Sequence, residues 1–203
     1  MKTLLLPTYF PSVGQFAILS QSQNITFETN DNYQKQTNRN RMYIYSPNGI
    51  QMLNIPIKHT KDIHQKTKDI QLETAFDWQK QHFKSLEAAY RSSPFFEYFE
   101  DEIQPIFQKK HTFLMDLNFQ TIEIVAKCLR LELNYQQTEE YFREPQDISN
   151  FRPLANGKKD FSILEPYKQV FEEKVGFLNN LSVLDLLFNE GRYALDYLKR
   201  QKI

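Results

Sequence analysis

The opening of the chain constrains the fold most. Thr3 to Leu6 is a short apolar run stopped by Pro7, and Pro7 to Pro11 reads as a loop. Ser12 can cap a helix running to about Ser22, with Val13, Phe16, Ala17 and Leu19 near helical spacing. Ile25 to Thr29 reads as a second strand. Strand, loop, helix, strand opens a parallel α/β unit, because parallel neighbours need a crossover between them.

A hairpin follows. Met42 to Ser46 and Ile50 to Ile57 are β-prone runs joined through Pro47-Asn48-Gly49, and Asn-Gly supplies the positive φ angles that a tight hairpin turn needs. Asp69 to Leu72 has the composition of a further short strand. From Asp77 the period changes. Asp77 can cap a helix from Trp78 to about Arg91, Ser93-Pro94 opens another through Phe107, and Phe113 to Leu133 is the longest helical pattern. Tyr135 to Asp160 is polar and weakly periodic, and reads as loop with one strand. Phe161 to Lys202 reads as helical, with Gly191 placed to end or bend a helix. The expected fold class is α/β: an N-terminal strand-loop-helix-strand unit with a β-hairpin, followed by a mainly helical C-terminal half. With 203 residues, one domain spanning 1–203 is expected.

The segment Asn32-Tyr-Gln-Lys-Gln-Thr-Asn-Arg-Asn-Arg41 stands apart in composition. It holds three basic side chains, three Asn, two Gln, one Tyr and one Thr, and neither an acid nor an aliphatic residue. Planar amides and guanidinium groups make directional, often bidentate hydrogen bonds. Gln34, Gln36, Asn38 and Asn40 suit hydroxyls or a base edge; Lys35, Arg39 and Arg41 suit phosphate or carboxylate. The segment follows a candidate strand end, where ligands of α/β folds collect. Its bland counterpart is a solvated loop. If Arg39 to Arg41 is already strand, Arg39 and Arg41 share one face.

Lys plus Arg equals Asp plus Glu at 25 each, which argues against a nucleic-acid binder. No stretch reaches transmembrane length, and Met1 to Pro7 is too short an apolar run for a signal peptide. One cysteine, Cys128, excludes an internal disulfide framework and fits the cytoplasm. It sits on an apolar stripe and reads as a structural thiol. No metal is expected: His59 and His64, with Asp62 between them, read as solvated loop residues, and His82 and His111 form no ligand pattern. Trp78, Lys80 and His82 offer either a pocket wall or an aromatic core contact. His82 is the first candidate for a general base, with Tyr33 and Tyr90 as alternatives. Asp185, a further catalytic candidate, lies among Leu184, Leu186, Leu187 and Phe188 and needs a partner, and a cation from the 32–41 segment is an attractive one. Ser182 reads as a helix cap. The sequence names no cofactor and no oligomeric state.

Several blocks, taken in order, resemble the WbqC-like protein family: Pro7-x-Tyr-Phe-Pro-x-x-Gly-x-Phe16, Asn32-Tyr-Gln-Lys-Gln-Thr37, Arg39-Asn-Arg41, Leu53-Asn-Ile-Pro-Ile-Lys-His59, Trp78-Gln-Lys-Gln-His82, Ala89-Tyr-Arg-Ser-Ser-Pro-Phe-Phe96 and Leu181-Ser-x-Leu-Asp-Leu-Leu-Phe-Asn189. The resemblance covers nearly the whole chain. It implies a role beside bacterial O-antigen and other surface-polysaccharide genes, with a phosphate-bearing or sugar ligand. Many members open the first loop with His-Gln-Pro, where this chain has Leu5, Leu6 and Pro7. The opening also looks like that of nucleotidyltransferases with a His-x-Gly-His loop, whose histidines are absent between Pro7 and Gln15. Two functions fit: a transferase acting on a nucleotide- or acyl-activated donor, and a non-catalytic ligand-binding or assembly module of the same pathway.

Overall fold

A computed structural model describes residues 1–58, 64–160 and 162–202. The expected opening forms as β1 (Lys2–Leu5), α1 (Val13–Gln21) and β2 (Asn24–Phe27), with β1 and β2 parallel from Lys2–Asn24 to Leu5–Phe27. Ser12 caps α1 by accepting from the Gln15 N–H at 3.3 Å. The hairpin forms as β3 (Arg41–Ser46) and β4 (Gly49–Asn54), with Gly49 at φ +99° in the turn.

Three long helices follow: α2 (Trp78–Tyr90), α3 (Phe96–Gln108) and α4 (Leu114–Leu129). Asp77 precedes α2 but its side chain makes no capping bond, and α3 starts after Phe95, whose N–H is taken by the Phe188 carbonyl at 3.0 Å. Arg130, in the left-handed region, ends α4 before residue 133. Leu114, Leu117, Ile122 and Val125 are fully buried on α4, each stabilising by roughly 2 kcal/mol. The expected strand at Asp69–Leu72 is instead a 3-10 turn at Thr67–Asp69 with isolated bridges from Gln71 and Leu72.

The polar stretch 135–160 supplies two strands, β5 (Tyr135–Gln137) and β6 (Ser149–Asn150). They complete a parallel sheet in the order β5-β2-β1-β6. The helical expectation for 161–202 holds only in part. Phe161 lies outside the described residues, and 162–170 is non-helical. There Asn179 Nδ2 donates to the Ser162 carbonyl at 2.7 Å, and Leu178 N–H donates to Gln169 Oε1 at 2.8 Å. These amide clamps, with Pro166, replace helical hydrogen bonding. A short turn α5 (Glu172–Val175) follows, then α6 (Val183–Glu190), capped by Ser182, and α7 (Ala194–Arg200).

Asp185 on α6 joins three elements. Tyr90 donates to Oδ2 at 2.8 Å, while Tyr167 and Gln169 donate to Oδ1 at 2.6 and 3.0 Å. The Tyr90 hydroxyl in turn accepts from the Tyr45 N–H of the hairpin at 3.0 Å. The partners of Asp185 are thus hydroxyls and an amide, and not a cation of the 32–41 segment. Burial pushes its carboxyl up from 3.8 to about 6, against the opposing pull of those hydrogen bonds.

Gly191 follows α6 at φ +54°, and a Cβ there would meet the Phe95 ring at 2.6 Å. Gly191→Ala is expected to destabilise the fold by about 2 kcal/mol, read as a lower urea midpoint at constant m; an unchanged midpoint contradicts the packing. Asp185 binds more protons folded than unfolded between pH 3.8 and about 6, so its contribution to stability falls as pH rises through that window. Relative to Asp185→Asn, the wild type should gain about 2 kcal/mol between pH 7 and pH 4, measured by denaturant titration at each pH.

Candidate functional site

The segment 32–41 divides physically at Thr37. Asn32 and Gln34 to Gln36 are exposed and Tyr33 is half-buried, whereas Thr37, Asn38, Arg39 and Asn40 are buried. The buried half is threaded between other elements, so its backbone polar groups need partners. Asn38 N–H donates to the Ala155 carbonyl at 2.8 Å, and its carbonyl accepts from Tyr9 N–H at 3.1 Å. Asn118 of α4 donates to the Arg39 carbonyl at 2.8 Å. Ile55 N–H donates to the Asn40 carbonyl at 2.9 Å, and Asn40 Nδ2 donates to the Ile55 carbonyl at 2.9 Å. At the front, Tyr33 N–H donates to the Gln65 carbonyl at 2.9 Å. A solvated loop describes the first half only.

Arg39 places Nε and Nη2 on Asp31 Oδ2 at 3.2 and 2.6 Å, and Nη1 on Thr37 Oγ1 at 3.1 Å. This ion pair is almost completely buried. Arg39 lies in a turn, not in β3, so it does not share a strand face with Arg41. The two arginines line different clefts, one on each side of the segment.

The first cleft, about 450 Å³, is lined by Tyr33, Lys35, Gln36, Asn40 and Arg41, with Asn54 and Ile55 at the end of the hairpin and Glu73 and Phe76 from the stretch before α2. Lys35 has no ion-pair partner among the described residues, and Arg41 bonds only through Nε, to Asn54 Oδ1 at 3.2 Å. Among the described residues, Asn40 Oδ1 is buried without a hydrogen-bond partner. Burial pushes the Tyr33 hydroxyl upward, against the opposing field of Arg39 and Arg41, so it stays protonated at neutral pH.

The second cleft, about 220 Å³, holds Asp31, Gln34, Arg39, Asn150, Arg152 and Lys159. It lies past the carboxyl ends of the parallel strands: Leu6 follows β1, Asp31 follows β2, and Arg152 follows β6. Ligands of open α/β sheets bind at this edge. The edge is tied down by Glu28, fully buried, whose Oε1 accepts from Asn30 N–H and Thr138 Oγ1 at 2.8 Å each and whose Oε2 accepts from Arg152 Nη1 at 3.3 Å. Leu6 brings an apolar side chain to this cleft, while Leu5 is fully buried.

The remaining expected residues lie elsewhere. His82 is buried and lines neither cleft; its Nδ1 is 3.0 Å from the Tyr9 hydroxyl, and the Asn54 backbone holds the ring as well. Burial depresses its pKa to about 4, so it is neutral near pH 7. Trp78 packs at 5.2 Å from the His82 ring and 6.3 Å from Tyr9. Lys80 is exposed, since two residues along a helix turn it away from the buried face. Trp78 and His82 therefore form the aromatic core contact, without Lys80. Asp185 is enclosed in the tyrosine cluster described above. Cys128 is half-buried, with its thiol pushed up to about 11 by burial, and it lines a separate apolar groove of about 630 Å³ with Phe95, Tyr98 and Tyr193.

The first N–H groups of α1 are answered inside the protein: Val13 by the Leu181 carbonyl at 2.9 Å and Gly14 by Asn180 Oδ1 at 2.8 Å. That helix start therefore offers no anion cradle. Among the described residues, no cluster of three His, Cys, Asp or Glu side chains could hold a metal. His59 and Asp62 lie outside the described residues. Likewise no described helix is long and apolar enough to cross a membrane.

Reasoning from the sequence missed Asp31, Asn150, Arg152 and Lys159. Asp31 adjoins the polar segment and could have been included as its missing counter-charge. The other three sit in a stretch whose strand has only two residues, and no local pattern marks them.

No solved structure matches the chain. It is 28% identical over 221 residues to the Mycobacterium tuberculosis protein Rv1507c, described as uncharacterised, covering 94% of each chain. The model of the WbqC-like protein family matches residues 7–155, a span holding both faces of the 32–41 segment and the sheet edge through Arg152. The chain belongs to the WbqC-like protein family.

Proposed function

We propose that the protein is a transferase of bacterial surface-polysaccharide biosynthesis that binds a phosphate-bearing, nucleotide-linked donor in the cleft of Lys35 and Arg41. One observation carries this reading. Two cations without an ion-pair partner among the described residues stand in one cleft against the one carboxylate of Glu73, with the Tyr33 ring, the exposed Phe76 ring and the amides of Gln36 and Asn40. Cations aimed at a departing phosphate supply the main catalytic need of such transfers. Aromatic faces suit a base, and planar amides suit its edge or a ribose hydroxyl. The Tyr33 hydroxyl can donate to the leaving oxygen. Arg39 serves as the brace that fixes the segment. His82, through Tyr9, supports the loop whose backbone meets Asn38. The family's association with polysaccharide genes supports the pathway, and the single cysteine fits a cytoplasmic setting.

A second reading, a non-catalytic binding module of the same pathway, is favoured by the internal engagement of His82 and Asp185, which leaves neither in a cleft. Product formation from a donor and an acceptor distinguishes the two.

Calorimetric titration with UDP-glucose, UDP-N-acetylglucosamine and GDP-mannose should give binding to at least one donor. Arg41→Ala and Lys35→Ala should each weaken it about tenfold or more, the loss of one charge-assisted hydrogen bond, with little change in melting temperature. Absence of binding to all three, or equal affinity in both variants, contradicts the assignment.

A further inference from the structure

The sheet-edge cleft has a different chemistry from the cleft across the segment. Its guanidinium groups are occupied. Arg39 is committed to Asp31 and Thr37. Arg152 places Nε on Asn150 Oδ1 at 2.9 Å, Nη1 on Glu28 Oε2 and the Phe142 carbonyl at 3.3 and 2.9 Å, and Nη2 on the Arg143 carbonyl at 3.1 Å. Each arginine is balanced by its own buried carboxylate. A phosphate would find only Lys159 uncommitted here, because the guanidinium donors it would use are already taken.

What the cleft offers is neutral hydrogen bonding beside an aromatic face. Asp31 is 5% exposed, and its Oδ1 is buried without a partner among the described residues while Oδ2 carries Arg39. A buried acceptor left unpaired favours any ligand group that donates to it. The exposed Gln34 amide has no partner among the described residues, and Asn156 uses only its Oδ1, on the Lys158 N–H. Tyr141 is 48% exposed, with the Arg152 guanidinium 5.1 Å from its ring. The volume, about 220 Å³, equals roughly seven waters at ~30 Å³ each. That space takes one pyranose ring. Arg39, Arg152 and Lys159 outnumber the carboxylates of Asp31 and Glu28, which disfavours an ammonium ligand.

We infer that the sheet-edge cleft is a sugar-recognition site that binds a neutral monosaccharide unit through Asp31 Oδ1 and Gln34 to its hydroxyls and Tyr141 to its ring face. The inference deepens the proposed polysaccharide role by naming a ligand class, and its failure is separable from that of the donor cleft. Gln34 and Lys35 are consecutive residues that line different clefts, so the chain lies between the sugar and the donor and the sugar is recognised without being the reacting group.

Saturation-transfer NMR on the intact protein tests it, with methyl glucoside, methyl galactoside and N-acetylglucosamine as probes, each with and without saturating UDP. At least one sugar should receive saturation on its ring protons, and UDP should not displace it. Tyr141→Ala and Gln34→Ala, both at exposed positions, should each weaken binding at least fivefold, and Arg41→Ala should leave it unchanged. No saturation of any probe, displacement by UDP, or unchanged binding in both Tyr141→Ala and Gln34→Ala overturns the assignment. Nucleotide binding without sugar binding sinks this inference and leaves the donor cleft standing; sugar binding without nucleotide binding does the reverse.

Discussion

The buried ion pair of Arg39 with Asp31 is the constraint around which the molecule is arranged. Taking two charges out of water is costly unless their mutual attraction and further hydrogen bonds offset it. Here Arg39 Nη1 finds Thr37, while the backbone around it finds Tyr9, Ala155, Asn118 and Ile55. Those partners belong to the first loop, the turn after β6, α4 and the end of the hairpin. Meeting the polar requirements of four residues therefore fixes the mutual positions of four otherwise separate elements. The exposed half, Asn32 to Gln36, hangs from this anchor, with Tyr33, Lys35 and Gln36 lining one cleft and Gln34 the other. Rigid support beneath exposed polar groups is what a binding site needs, since it limits the ordering cost when a ligand arrives.

A second polar knot works at the other side of the core. Asp185, fully buried on α6, accepts from Tyr90, Tyr167 and Gln169, and Tyr90 passes the connection to the hairpin through the Tyr45 N–H. The many tyrosines of the chain are used in this way: large rings fill volume while hydroxyls join elements. Asp185 and His82 carry opposite pKa shifts, both caused by burial, and both belong to the framework that holds the clefts.

Much of the fold was legible. Asn48-Gly49 announced the hairpin, Ser12 and Ser182 announced helix starts, and the apolar spacing of Leu114, Leu117, Ile122 and Val125 announced α4. Strands β5 and β6 were not resolved as a pair, because three and two polar residues carry no period of their own; they exist through pairing with β2 and β1 from far along the chain. Leu164 and Tyr167 imitate helical spacing by lying three apart, yet both are buried from a non-helical stretch held by Asn179 and Gln169. In the site, the polar segment was visible by composition. Its division at Thr37 was not, since nothing local distinguishes an asparagine that answers a buried carbonyl from one that faces water. Arg152 was hidden for the same reason: its partner Glu28 lies at the far end of the sequence.

The central claim is that the segment 32–41 is a fixed wall whose exposed half receives the donor. Amide chemical-shift mapping by NMR, with a nucleoside diphosphate sugar titrated into the labelled protein, tests it most directly. The account predicts large shifts at Tyr33 to Gln36, Arg41, Asn54, Ile55 and Ile57, while the Arg39 side-chain Nε–H signal keeps its position because the pair with Asp31 stays closed. Shifts confined to the apolar groove of Tyr98, Cys128 and Tyr193, or a displaced Arg39 Nε–H signal, would contradict it.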